Sequence, residues 1–152
     1  MKKYKQYLRE KLVMTRPFVL LFVLLPLIAI AADTGPTPSK EGAGVRIISP
    51  VDGENLDSPV TVVFGLAGMG VAPAGVERAE TGHHHLIIDA SLPAMEQAIP
   101  LSENYRHFGG GQTQVTLDLE PGEHTLQLLL GDHNHIPHEP PVYSEIVRIR
   151  IR

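Results

Sequence analysis

Histidine is the residue whose numbers and spacing point to chemistry in this chain. All eight histidines fall between residues 83 and 138, and six of them lie in two short runs. The first run is His83-His84-His85, and the second contains His133, His135 and His138. Imidazole is the commonest protein ligand for late transition metals, and it titrates close to neutral pH. The pattern therefore predicts metal binding or proton chemistry.

The spacing His-x-His places two imidazoles on one side of a β-strand. Alternate residues of a strand share a face, so His83 and His85 would point together and His84 to the other face. If the face that carries Leu86 is the core, His84 packs inward and the pair looks outward. Residues two apart lie about 6–7 Å from each other, close enough to share one metal ion. The same spacing recurs in the second run, at residues 133–135.

The remaining histidines carry weaker signals. His124 precedes an apolar strand, where a histidine is more often hydrogen-bonded than metal-bound. Asp89 or Asp132 could orient an imidazole as a neighbouring carboxylate. The chain has no cysteine, so thiolate ligands are excluded. The candidate ligands of a copper or zinc ion are His83, His85, His107, His133, His135 and His138.

Two other functions are compatible with these residues. The histidines could form a fixed hydrogen-bond network in a structural or adaptor module of the cell envelope. A metal-dependent enzyme with an open coordination position is the third alternative. The sequence contains no Gly-x-Ser-x-Gly elbow, no phosphate-binding glycine loop and no His-Glu-x-x-His. We therefore favour a binding protein and predict no catalytic residue.

The N-terminal segment predicts export. Six Lys and Arg residues and one acid lie in residues 1–16, and an apolar run follows that ends in Ala29-Ile30-Ala31. These features are typical of a secretory signal peptide at residues 1–31. The run contains Pro26 and is shorter than the roughly 20 residues of a membrane-spanning helix. We expect a periplasmic or secreted protein; the alternative is an uncleaved inner-membrane anchor, with the domain facing the periplasm.

Removal of this segment would leave a strongly acidic chain. The full chain has 13 Lys and Arg residues against 17 Asp and Glu residues. Without residues 1–16 these become 7 and 16, a net charge of about −9 with neutral histidines. Such a surface disfavours nucleic acid and anionic lipid. The expected partners are a metal ion and, for an adaptor, another envelope protein; membrane contact is expected only if the segment is retained.

The rest of the chain predicts one all-β domain. Residues 32–44 contain no large apolar residue and are typical of a flexible linker. Residues 45–152 alternate short apolar runs with Pro and Gly, as in an immunoglobulin-like antiparallel β-sandwich. Strands are predicted at residues 45–49, 60–66, 84–89, 113–119, 124–130 and 144–151.

Connections between these strands decide whether the two histidine runs meet. The turn at residues 120–123 predicts a hairpin between the fourth and fifth strands. Residues 67–82 and 90–112 are long connections next to histidines, and long ordered connections are usually functional. If the second crosses the sandwich, the start of the third strand and the end of the fifth share one edge. We then expect a side-chain nitrogen of residues 83–85 within about 5 Å of one from residues 133–138.

Three segments resemble a known family. They are residues 82–89, GHHHLIID; residues 107–113, HFGGGQT; and residues 121–138, PGEHTLQLLLGDHNHIPH. In these segments the chain resembles the exported bacterial family called domain of unknown function 4399, over roughly residues 45–152. The resemblance implies a small exported β domain in which the histidine segments are family features. It implies no activity.

Overall fold

Short apolar runs bounded by proline and glycine become the β-strands of this protein. The computed structural model describes residues 35–152, so the predicted signal peptide at residues 1–31 lies outside the described residues. The strands of the described part are β1 (Gly44–Ser49), β2 (Glu54–Leu56), β3 (Val60–Ala67), β4 (Gly70–Val71), β5 (Thr81–Ile88), β6 (Tyr105–His107), β7 (Gln114–Leu117), β8 (Gly122–Gly131) and β9 (Val147–Ile151). Within residues 35–152, no helix is long and apolar enough to cross a membrane.

The strands form two sheets. The smaller sheet has the order β1-β3-β7, and the larger has the order β2-β9-β8-β5-β4, with β6 also paired to β5. Most pairs are antiparallel, but β2 with β9 and β4 with β5 are parallel. The predicted all-β sandwich is confirmed, and its larger sheet is mixed rather than purely antiparallel.

The main core lies between the two sheets and fixes which side of β5 faces inward. It contains Val62 and Phe64 of β3, Leu117 of β7, Leu86 of β5 and Leu126 and Leu128 of β8. Each large apolar side chain contributes roughly 1.5–3 kcal/mol when it is fully buried. His84 shares the face of Leu86 and is fully buried, with its ring centroid 5.2 Å from that of Phe64. The predicted inward orientation of His84 is therefore confirmed.

The predicted hairpin between the fourth and fifth predicted strands is wrong. These strands are β7 and β8, and β7 pairs with β3 in the smaller sheet, whereas β8 pairs with β5 and β9 in the larger sheet. The connection at residues 118–121 crosses from one sheet to the other. Leu117 and Leu126 therefore meet in the shared core. Alternation reports which face of a strand is buried, and it does not report which strand is its neighbour.

Part of the predicted linker is packed against the domain. The Ser39 N–H donates a hydrogen bond of 3.1 Å to the carbonyl of Glu139, and the Glu139 N–H donates one of 3.0 Å to the carbonyl of Thr37. Thr37 also contacts the side chains of Asp132 and His138. Residues 37–39 are therefore held in place, because their backbone groups find partners in the segment after β8.

Both long connections return to the edge of β5. The first contributes β4, which pairs with the start of β5, and the second leads into β6, which pairs with its end. Ile99 of the second connection packs with Ile87 and Leu129 in a small second core on the outer face of the larger sheet. His83 and His85 lie on this covered face and are only 0% and 1% exposed. The pair thus points away from the main core, as predicted, but it is buried under the connection.

Candidate metal centre

Three elements bring four histidines together. β5 carries His83 and His85 on one face, with ring centroids 4.8 Å apart. β6 places His107 directly opposite His85 in the strand register. β8 runs antiparallel to β5 and ends at Gly131, opposite His83, so the turn after β8 delivers His135 to the same place. We call His83, His85, His107 and His135 the four-histidine cluster.

The rings of the cluster are in mutual contact. The ring centroid of His107 lies 4.9 Å from that of His83 and 4.7 Å from that of His135, and the His83 and His135 centroids are 5.1 Å apart. Ligand nitrogens of these three side chains lie within 4.8 Å of one another, so the group could hold a metal ion. His85 stacks on His107 at 5.1 Å with an angle of 27° between the rings. The expectation that the two histidine runs meet is confirmed.

Two glycines make room for the rings. A Cβ atom added to Gly131 would lie 2.7 Å from Cε1 of His85, and one added to Gly109 would overlap Cε1 of His107. Real side chains do not tolerate such contacts, so the imidazoles approach the backbone at these two positions more closely than a side chain would allow. Both glycines therefore serve ring packing, and Gly109 also lies in the turn of residues 108–111, where the Gly111 N–H donates to the carbonyl of Phe108 at 3.1 Å.

Burial favours the neutral form of His83, His85 and His107 by lowering the pKa of each. Desolvation, and then the neighbouring His107 and His135, lower the pKa of His83 to about 4. Desolvation and the same neighbours, with His83, lower the pKa of His85 to about 3. The pKa of His107 is also lowered, by desolvation and by His135. A neutral imidazole is the form that binds metal, because one ring nitrogen then has a free lone pair.

Several ring nitrogens of the cluster are buried without a hydrogen-bond partner. These are both nitrogens of His83, Nδ1 of His85 and Nε2 of His107. A buried polar group without a partner costs about 1–3 kcal/mol, so most such groups in proteins are paired. A bound metal ion would supply a partner for those nitrogens that carry the lone pair.

A buried carboxylate shapes the turn that presents His135. Asp132 is 1% exposed, and its Oδ1 accepts hydrogen bonds from the N–H groups of Asn134 at 2.8 Å and Ile136 at 3.0 Å. His135 adopts a left-handed φ of 66°. Residues 133–135 therefore form a turn rather than a strand. The rule that alternate residues share a face does not hold for His133 and His135. Asp132 positions the backbone around His135, and its negative charge opposes the larger effect of desolvation on the pKa of His83.

Two of the six candidate ligands lie outside the cluster. His133 accepts a hydrogen bond of 3.0 Å at Nε2 from the side-chain amide of Asn134. His138 is buried, and its Nδ1 is 2.9 Å from Oγ1 of Thr37. In the described part of the chain, neither ring contacts a ring of the cluster. The structure thus groups His83, His85, His107 and His135, and it does not group His133 and His138 with them.

His124 behaves as the sequence suggested for a structural histidine. Its Nδ1 donates to Oδ2 of Asp89 at 2.7 Å, and its Nε2 donates to the carbonyl of Glu120 at 2.8 Å. Asp89 is therefore the carboxylate that orients an imidazole, but the imidazole is that of His124 and not one of the cluster.

Sequence reasoning missed Gly131 and Ile99 as parts of the centre. Ile99 donates its N–H to the carbonyl of His135 at 2.8 Å and so ties the covering connection to the turn. Strand β6 has three residues, too few to show a pattern, so the placement of His107 opposite His85 had no clear local signal.

The comparisons with known proteins give a family and a distant structural likeness. A family model described as domain of unknown function DUF4399 matches residues 62–152, which include the whole cluster. No curated protein matches the sequence. Among solved structures, the chain is similar to the solution structure of the PKD domain (329–428) from human KIAA0319. That likeness has 15% sequence identity and a TM-score of 0.33, and it covers 80% of this chain and 89% of that one.

Proposed function

Since this chain belongs to the DUF4399 family of domains of unknown function, we propose a function from its own residues: it binds one transition-metal ion, copper or zinc, in the four-histidine cluster. The observation that carries the proposal is the convergence of three imidazole ligand atoms within 4.8 Å of one another. Two of these imidazoles, His83 and His107, also have buried nitrogens without any other partner.

The donor set favours particular metals. His83, His107 and His135 offer nitrogen only, and nitrogen ligands suit zinc, copper and nickel, whereas Mg²⁺ and Ca²⁺ prefer oxygen. Copper(II) stands highest in the general order of affinity for such sites. His85 lies beside these three ligands, and its stacking on His107 orients that ring. Glycine backbone behind two of the rings and buried strands beneath them hold the donors in place before the metal arrives.

We also propose that the protein is exported. The basic region and the apolar run that ends in Ala29-Ile30-Ala31 support this, as does the acidic charge of the rest of the chain. Protein from the native cell envelope should begin at Ala32 or within one or two residues of it. N-terminal sequencing tests this, and residues 1–31 retained in the membrane fraction would replace export with anchoring.

The experiment for metal binding uses the full chain without a histidine tag. Metal content is measured after purification from the native compartment, and copper and zinc are then titrated calorimetrically. We expect one ion per chain. The double variant His83→Ala with His135→Ala should lose binding, whereas the matched variant His124→Ala with His133→Ala should bind like the unmodified chain. Equal binding by both variants would contradict the proposal.

The second candidate is an adaptor module with a fixed hydrogen-bond network. Hydrogen bonds from Thr37 to Asp132 and His138, and those of His124, favour it because they join distant segments. This alternative makes a different prediction for thermal melts. Metal would not raise the melting temperature, whereas binding to the native state raises stability by about 2.7 kcal/mol at 100 times the dissociation constant.

A further inference from the structure

A cavity opens beside the four-histidine cluster. Its volume is about 270 Å³, and it is lined by His85, Ala98, Ile99, Pro100, Leu101, His107 and His135. Apart from the histidines, the described residues of its wall are all apolar. The cavity thus joins three imidazoles to a hydrophobic wall in one space.

One coordination position of a metal in the cluster would face this cavity. A tetrahedral ion held by His83, His107 and His135 has one ligand position left. His83 is fully buried and is not part of the cavity wall. His107 and His135 belong to both the ligand group and the wall. Because two of the three ligands line the cavity, the remaining position would lie beside it.

His85 does not close that position. Its ring is stacked on His107, and ring lone pairs lie in the ring plane, so two stacked rings do not aim at one point. Its Nδ1 lies close to Gly131, since a Cβ added to that residue would be 3.0 Å away. Its ligand atoms do not belong to the group of three that converge.

The apolar wall is fixed to the cluster rather than loosely attached. Ile99 is buried in the small second core, and its N–H binds the carbonyl of His135. Leu101 stands at the rim and is 79% exposed. A molecule that reached the metal would therefore pass Pro100 and Leu101, and the part of it that does not bind the metal would contact these two side chains.

We propose that this cavity binds a small organic ligand, which coordinates the metal through one donor atom and places an apolar group against residues 98–101. The inference rests on the proposed metal binding. Chains with structural zinc close all four positions with protein atoms, whereas an open position accepts water or an outside ligand. The apolar wall favours ligands that carry an apolar group next to the donor atom.

The probes are imidazole and 4-phenylimidazole, which share one donor ring and differ in apolar surface. The full chain is first loaded with one equivalent of copper(II), and binding of each probe is followed by the copper absorption and electron paramagnetic resonance spectra. We expect both probes to bind and 4-phenylimidazole to bind at least about ten-fold more tightly, because it buries a phenyl group. Equal affinities, or no spectral change with either probe, would overturn the inference.

Variants at the rim locate the effect. Leu101→Asp should reduce the preference for 4-phenylimidazole several-fold, because a charged side chain replaces the apolar contact. The matched control is Val51→Asp, which makes the same change at a residue that is 62% exposed and outside the cavity wall. Ala98→Trp should weaken both probes by filling the cavity. Unchanged probe binding in both cavity variants would contradict the proposed location. Failure of the unmodified chain to bind copper would instead contradict the metal proposal.

Discussion

The two ends of the β5–β8 pair treat histidine in opposite ways. At one end, Asp89 follows β5 and holds His124 of β8, so both nitrogens of that ring have oxygen acceptors at 2.7 and 2.8 Å. At the other end, His83 and His85 of β5 lie beside Gly131 of β8, and three of their four ring nitrogens are buried without partners. On one pair of strands, imidazole nitrogens thus have hydrogen-bond partners at one end and mostly lack them at the other.

The difference also appears in the direction of the pKa shifts. Desolvation opposes protonation of His124, but the Glu120 carbonyl and the Asp89 carboxylate together outweigh it and raise the pKa. Only the protonated ring can donate to both acceptors. At the cluster, desolvation and other histidines lower the pKa of His83 and His85. At the two ends of this strand pair, the histidine with oxygen acceptors therefore has a raised pKa, and the histidines packed against other histidines have lowered pKa values.

The largest effect expected from this comparison is acid sensitivity of the metal-free chain. The pKa of His83 is about 4 in the folded chain, whereas the ordinary pKa of histidine is 6.5. Between these pH values the unfolded state binds more protons than the folded state. The stability contributed by neutral His83 is therefore complete above pH 6.5 and is lost as the pH falls toward 4. The loss for His83 alone is on the order of 3 kcal/mol. Urea unfolding at pH 7.5, 5.5 and 4.5 measures it.

Variants assign this acid sensitivity to the cluster. His83→Gln should flatten the fall of unfolding free energy below pH 6.5. His124→Gln is the matched control, and its effect has the opposite sign. Because the pKa of His124 is raised, the stability contributed by its protonated ring is complete below pH 6.5. This stability is lost as the pH rises through the pKa of His124 in the folded chain. An unchanged dependence of the unfolding free energy on pH in His83→Gln would contradict the assignment of acid sensitivity to the cluster.

A smaller effect is expected from filling the space behind the rings. Gly131→Ala places a methyl group against His85, and the forced shift should cost about 1–3 kcal/mol of stability. Metal affinity should also fall, because the rings are displaced. Gly44→Ala is the control, since nothing lies within 4 Å of the added atom there. If the two variants have equal melting temperatures and metal affinities, the backbone behind His85 has no role in the centre.

The smallest effect is expected at the satisfied end. His124→Ala removes two hydrogen bonds, and Asp89 is exposed enough for solvent to take their place. The cost should be about 1 kcal/mol at pH 6. Metal binding should not change. A loss of metal affinity in this variant would show that the two ends of the β5–β8 pair are coupled.

Some of this arrangement could be predicted from the sequence, for physical reasons. Alternation of Leu126, Leu128 and Leu130 marks a buried face, and the same rule places His84 inward and His83 with His85 outward. Antiparallel neighbours bring the start of one strand to the end of the other, so the meeting of the two histidine runs followed from topology. These features depend on local periodicity and on chain connectivity.

The remaining features depend on contacts between distant residues. Alternation could not distinguish a hairpin of β7 with β8 from two strands that face each other across the core. The orientation of His135 depends on the buried carboxylate of Asp132 and on a left-handed φ, so the spacing of residues 133–135 did not predict it. The outer face of β5 is covered by the long connection at residues 90–112, whose Ile99 packs with Ile87 and Leu129, and no local pattern marks that residue.

X-ray absorption spectroscopy of the full chain loaded with one equivalent of zinc tests the central claim most directly. The account predicts at least three imidazole nitrogens at about 2.0–2.1 Å from the metal. It also predicts that this signature disappears in the His83→Ala, His135→Ala variant and persists in the His124→Ala, His133→Ala variant. A coordination shell dominated by oxygen, or one that survives loss of His83 and His135, would contradict the account.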